Sequence, residues 1–224
     1  MRDRPVTTIL TALILLMFAW QVKLAFAAHE TPLHVFFAPS EEVLRHSGAA
    51  YTGMPLTTGW WRLIASMFVH GGLIHLAANV LALVQLGYLL EALFGPLAAT
   101  LSFSIGGVAA GLFAMLIPGS PRGVVYVGAS GAIFAIAGTL LVGLRTVTRV
   151  HGATWSHRLS SRLVGCLAAN LILGLAISAI ATWADLGFEI ANSAHVGGLA
   201  AGLLIGLLLP LQLRDSPLTR RLGG

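Results

Sequence analysis

Four polar residues, His75, Asn79, Ser130 and His195, fall inside otherwise apolar stretches, where a polar group is costly and marks function more often than elsewhere. A hydroxyl is a weak nucleophile until a neighbouring base takes its proton, and imidazole is the usual base. Ser130 with His195 could do this chemistry. His75 and Asn79 are four apart, hence on one helix face, and could donate hydrogen bonds to an oxygen that gains charge. Each residue also has a plainer reading. His75 and Asn79 could simply bond two helices together, Ser130 could be an ordinary helix start, and His195 a satisfied core histidine. Glycine alters the balance. Gly128 and Gly131 flank Ser130, so other backbone can approach its hydroxyl. Gly198, Gly202 and Gly206 follow His195 at four-residue steps, which lets two helices meet closely.

The acids are informative by position. No aspartate lies within an apolar stretch, which removes an aspartyl pair. H-E-x-x-H is absent and no carboxylate accompanies His70, His75 or His195, which argues against a zinc site. Glu91, Asp185 and Glu189 lie at stretch ends or in loops. Any serine chemistry here is therefore that of a dyad, with no metal and no cofactor. The single cysteine, Cys166, excludes an internal disulfide and reads as packing.

The elements that carry these residues follow from composition. The chain has 224 residues, 57% hydrophobic and 9% charged, with a mean hydropathy of +0.87. A soluble domain carries about 25% charged residues, so this chain cannot cover itself with a polar surface. The apolar stretches are near the roughly 20 residues that cross a bilayer as a helix, and lipid admits helices or closed barrels alone. Six spans are predicted: 6–28, 68–90, 97–117, 128–144, 163–183 and 190–213. The fourth is short, and its helix starts beneath the membrane surface after Gly128-Ala129-Ser130-Gly131. The chain reads as a single membrane domain, residues 1–224.

Net charge is +5 and the pI about 10.4. Orientation in the membrane accounts for this, rather than nucleic acid. Of thirteen Lys and Arg, Arg2, Arg4, Arg145, Arg149, Arg158, Arg162, Arg214, Arg220 and Arg221 share one side of a six-span topology. Lys23, Arg45, Arg62 and Arg122 fall towards the other. The positive-inside rule then puts both termini in the cytoplasm. Ala25-Phe26-Ala27 also resembles a signal cleavage site, but the preceding apolar run is long enough to span. Residues 29–67 form an outer loop long enough to need structure of its own. In it Trp60 and Trp61 suit an interfacial belt, and Arg62 suits headgroups or loop carbonyls.

Taken together, Trp61-Arg62, His75-x-x-x-Asn79, Gly128-x-Ser130-Gly131 and Ala194-His195-x-x-Gly198-x-x-x-Gly202 resemble the motifs of the rhomboid intramembrane serine proteases, in order, from Trp61 to Leu213. The resemblance implies an all-α membrane protein, a six-transmembrane-helix bundle of rhomboid type without a soluble regulatory domain or seventh span. It implies that Ser130 is the nucleophile and His195 its base, and that His75, Asn79 and the Ser130 backbone N–H bind the oxyanion. Gly128, Gly131, Gly198 and Gly202 are supports. Phe134 stands where some members carry tyrosine, and can still pack on His195. Glu91 resembles an acid that caps structure, and His70 a histidine near the surface end of the second span. The implied protein is an integral, multi-pass endopeptidase of a plasma or inner membrane, acting on single-pass transmembrane proteins, with lipid as its surroundings and no nucleic-acid partner. The alternative is a catalytically inactive rhomboid-like protein that binds transmembrane helices. A small transporter using the histidines would need matching halves, which the sequence lacks.

Overall fold

The computed structural model describes residues 4–117, 124–183, 191–211 and 213. The chain forms the expected helical membrane bundle. Its elements, in order, are α1 (Pro5–Ala27), α2 (Pro32–Phe37), α3 (Glu41–His46), β1 (Ala50–Tyr51), α4 (Leu56–Gly59), α5 (Trp61–Ala65), α6 (Leu73–Phe94), α7 (Pro96–Leu116), β2 (Val125–Tyr126), α8 (Ser130–His151), α9 (Thr154–Trp183) and α10 (Asn192–Leu208). Among the described residues, α1, α6, α7, α8 and α9 are long and apolar enough to cross a membrane, and α10 is a shorter apolar helix. Outward faces carry side chains such as Leu16, Leu81, Ile172 and Leu207, a lipid-facing composition.

Helix α8 is the centre. Every residue from Gly131 to Leu141 is buried, and α7 and α10 pack along it most extensively, with α9 and α6 also against it. Phe103, Ile136, Leu140 and Leu144 fill the core there. Gly95, at φ 95°, ends α6 and starts α7, with Pro96 in the first helical position. This is where proline suits a helix, having no N–H to leave unpaired.

Helix α1 packs on α6 and is joined to it through Glu91, which is fully buried. The Glu91 carboxylate accepts from the Val6 N–H (3.0 Å), the Thr7 N–H (2.9 Å) and the Thr7 hydroxyl (2.8 Å). It thus caps the start of α1, whose exposed N–H groups favour a negative charge. Glu91, near the end of α6, thus caps a neighbouring helix.

Several predicted edges move. The fourth span is not short: α8 runs to His151 because Arg145, Thr146 and Arg149 can reach outward while Val147 stays buried, and Gly152 then ends it in the left-handed region at φ 63°. Helix α9 begins at Thr154, so Arg158 and Arg162 stand on the helix rather than in a loop. Helix α6 begins at Leu73 because Gly72 adopts φ 102°. Helix α10 ends at Leu208; Leu209 is extended, as the residue before Pro210 tends to be. Of the last span, residues 190 and 212 lie outside the described residues, as do Arg2, Arg122, Asp185, Glu189, Arg214, Arg220 and Arg221.

Between α1 and α6 the chain builds α2 to α5 and pairs β1 with β2 antiparallel, Ala50 opposite Tyr126 and Tyr51 opposite Val125. Arg62 serves this segment: its Nη1 donates to the carbonyls of Arg45 (2.7 Å) and Ala49 (3.0 Å). The loop just ahead of α8 is held from the same side, since the Gly128 N–H donates to the Ser66 carbonyl at 2.9 Å.

Candidate active site

Ser130 is the first residue of α8 and His195 lies in the first turn of α10. Across the interface of these helices, Ser130 Oγ and His195 Nε2 are 2.8 Å apart. That is within the reach proton transfer needs. The approach follows from Gly198, where a Cβ would collide with the Gly131 carbonyl, while Gly131 lets α7 close on α8, since a Cβ there would stand 2.7 Å from Ala110 Cβ. Phe134, one turn after Ser130, stacks on the His195 ring with centroids 4.5 Å apart and planes inclined by 3°. His195 is buried, and its Nδ1 has no hydrogen-bond partner among the described residues.

His75 and Asn79 come to the same place from α6. A Cβ on Gly128 would lie 2.8 Å from His75 Nε2 and 3.7 Å from Asn79 Nδ2. Both side chains therefore face the turn that leads into Ser130. Gly128 is at φ 106°, a conformation that favours glycine, so here glycine serves both the turn and the space. The Gly71 N–H donates to His75 Nδ1 at 3.2 Å. In a neutral ring with Nδ1 accepting, the hydrogen sits on Nε2, which leaves an N–H donor facing Gly128. Asn79 Nδ2 donates one hydrogen to the His75 carbonyl at 2.9 Å and has a second. At the start of α8, the first N–H groups have no partner within the helix.

His70 stands just ahead of the second long helix, which begins at Leu73, and is shielded by protein. It is fully buried in the turn before α6, its Nδ1 3.0 Å from the Phe68 carbonyl and its ring 5.4 Å from that of His75 at a steep angle. The burial follows from α1. The buried Gln21 accepts from the His70 N–H at 3.1 Å and donates to the His70 carbonyl at 2.5 Å. One amide thus satisfies both backbone groups of a residue that belongs to no helix. Gln21 escapes a sequence reading centred on the later spans; the available signal is an amide within the first apolar stretch. Among the described residues, no three His, Cys, Asp or Glu side chains are grouped to hold a metal ion.

A family model of the rhomboid domain matches residues 57–212. This chain belongs to the rhomboid family. RHOMBOID-like protein 5 of Arabidopsis thaliana is 31% identical over 181 residues, covering 80% of this rhomboid chain and 53% of that protein. Rhomboid protease GluP of Bacillus subtilis (strain 168) is 29% identical over 170 residues, 76% of this chain and 30% of that protein. Rhomboid protease AarA of Providencia stuartii is 34% identical over 182 residues, 75% of this chain and 63% of that protein. The rhomboid chain spans about half the length of the first of these relatives.

Proposed function

We propose that this rhomboid chain is an intramembrane serine endopeptidase that cleaves single-pass membrane proteins in or near the bilayer. The observation that carries the reading is the 2.8 Å approach of Ser130 Oγ to His195 Nε2. Similarity to the two bacterial rhomboid proteases adds to it.

Ser130 Oγ attacks the scissile carbonyl carbon while its proton passes to His195 Nε2. The carbonyl electron pair moves onto oxygen, and the oxyanion accepts from His75 Nε2–H, the Asn79 amide and the Ser130 backbone N–H. Each such donor is worth about 100- to 1000-fold in rate. The intermediate collapses, the amine leaves with the proton from His195, and an acyl ester remains on Ser130. A water molecule loses a proton to His195 and attacks the ester. The second collapse releases the acid and returns the proton to Ser130. A helical substrate ties its carbonyls to N–H groups four residues on, so the cleaved segment has to unwind first. The distribution of arginines favours cytoplasmic termini and a catalytic end that faces the opposite side.

The test uses detergent-solubilised protein with a single-pass membrane substrate. Wild type should cleave and should be labelled by a fluorophosphonate at Ser130, while Ser130→Ala and His195→Ala lose cleavage and keep their helical circular dichroism. Wild-type rates in Ser130→Ala overturn the reading. A folded wild type that neither cleaves nor labels favours a helix-binding protein without catalysis.

A further inference from the structure

Much of the seam between α8 and α10 is bare backbone. A Cβ on Gly202 would collide with the Ala135 carbonyl, and one on Gly138 would lie 2.6 Å from the Leu199 carbonyl and 2.8 Å from the Leu203 nitrogen. Glycines let the helices approach. They also remove the side-chain ridges that interlock one helix with another. With fewer interlocking side chains, a polar bond across the seam carries a larger share of its axial register. The dyad contact depends on that axial position, because its partners come from the two helices.

A polar side chain crosses the seam below the dyad. Thr139 is fully buried, and its hydroxyl donates to the Gly202 carbonyl at 3.0 Å. At 1.5 Å of rise per residue, Thr139 is about 13 Å along α8 from Ser130, and Gly202 about 10 Å along α10 from His195. Thr139 Oγ1 in turn accepts from Ser102 of α7 at 2.8 Å. Ser102 is also fully buried, and its hydroxyl lies 2.7 Å from the Ala98 carbonyl. The line Ser102–Thr139–Gly202 therefore joins the three helices of the bundle's centre.

We propose that Thr139 is a positioning residue for the dyad: its bond to Gly202 fixes the axial register of α10 on α8, and so the distance from His195 to Ser130. The proposal rests on the protease reading above. A hydrogen bond weakens steeply with distance and angle. A slide of α10 by one residue rise, about 1.5 Å, would break the Thr139 bond and pull the imidazole off Ser130 together. Misplacement of a reacting group by about 1 Å can cost about 100-fold in rate.

Thr139→Val keeps the branched shape and removes the hydroxyl. It strands nothing: the Gly202 carbonyl lies within helix α10, and the single Ser102 hydrogen can turn to the Ala98 carbonyl, 2.7 Å away. Thr139→Ser restores the hydroxyl with one methyl fewer. The experiment compares wild type, both variants and Ser130→Ala, as full chains in detergent, for kcat and KM on a single-pass substrate and for the rate of fluorophosphonate labelling at Ser130. Thr139→Val should lower kcat by about 10- to 100-fold, with KM little changed and labelling slowed in parallel. Thr139→Ser should recover most of the loss. Wild-type kcat and labelling in Thr139→Val would overturn the proposal while leaving the protease reading intact. Equal damage in Thr139→Ser would also overturn it, since packing rather than the hydroxyl would then matter. Absence of cleavage and labelling in wild type removes the dyad, and the proposal with it.

Discussion

The imidazole of His195 lies flat on the phenyl ring of Phe134, the two planes 3° apart. Among the described residues no carboxylate bonds to Nδ1 of this ring, as one would to orient it in a triad. Here the face of an aromatic side chain takes that task. The stack limits tilting of the imidazole and leaves Nε2 aimed at Ser130, 2.8 Å away.

Phe134→Leu should therefore keep the fold yet lower kcat by roughly 10-fold or more, because the imidazole gains freedom. Phe134→Tyr should stay close to wild type, since the ring is retained. Steady-state kinetics on a single-pass substrate decide the matter. A leucine variant with unchanged kcat would mean that packing from other directions already fixes the ring.

Asn79→Ala and His75→Ala remove separate donors from the turn at Gly128. Each is expected to cut kcat by about 100- to 1000-fold with a smaller effect on KM, the mark of an interaction made in the transition state. Asn79→Asp should be as poor as alanine, as a carboxylate faces the oxyanion with the wrong charge. An effect confined to KM would reassign both residues to substrate binding.

Gln21→Leu strands the buried N–H and carbonyl of His70, at about 1–3 kcal/mol for each unpaired group. The melting temperature should fall. Activity should fall too, because His70 leads directly into Gly71, whose N–H orients His75. Gln21→Glu, neutral when buried, keeps a carbonyl acceptor and an O–H donor in altered geometry, so it should be intermediate in both measurements. A lower melting temperature with an unaltered kcat would make the clamp purely structural.

The proposed topology, read from the arginine distribution, puts Arg149 in the cytoplasm and Glu41 on the other side. In a Cys166→Ala background, Arg149→Cys and Glu41→Cys should react with an impermeant thiol reagent from opposite faces of sealed vesicles. Reaction from the same face would contradict the topology. Both positions are exposed, so reactivity reports sidedness rather than burial.

Short motifs made the serine, the histidines and Asn79 legible, because a polar group among apolar residues is conspicuous and glycines beside it have few other uses. What those motifs lack is the partner across space. Nothing near Gln21 in the sequence points to His70, 49 positions away, and nothing near Thr139 points to Gly202. A single amide or hydroxyl in an apolar helix has no pattern to betray what it bonds. Helix edges were blurred for another reason. Hydropathy marks where lipid begins, whereas a helix stops where backbone geometry stops it, at Gly72, at Gly152 or before Pro210. Arg145 and Arg149 on α8, and Arg158 and Arg162 on α9, end the hydropathy signal while the helices continue.

Helix α1 is fastened at two heights, to Glu91 through Thr7 and to the His70 turn through Gln21. Fourteen residues of helix separate the fastenings, about 21 Å, against a hydrocarbon core of about 30 Å. A rod bolted at both marks is a gauge. It fixes how far the turn that carries His70 and Gly71 stands above the level of Glu91, whatever lipid surrounds it. In a thicker or thinner bilayer the lipid must then adjust to the protein, and the reacting groups keep their spacing along the bundle while their depth below the lipid headgroups changes.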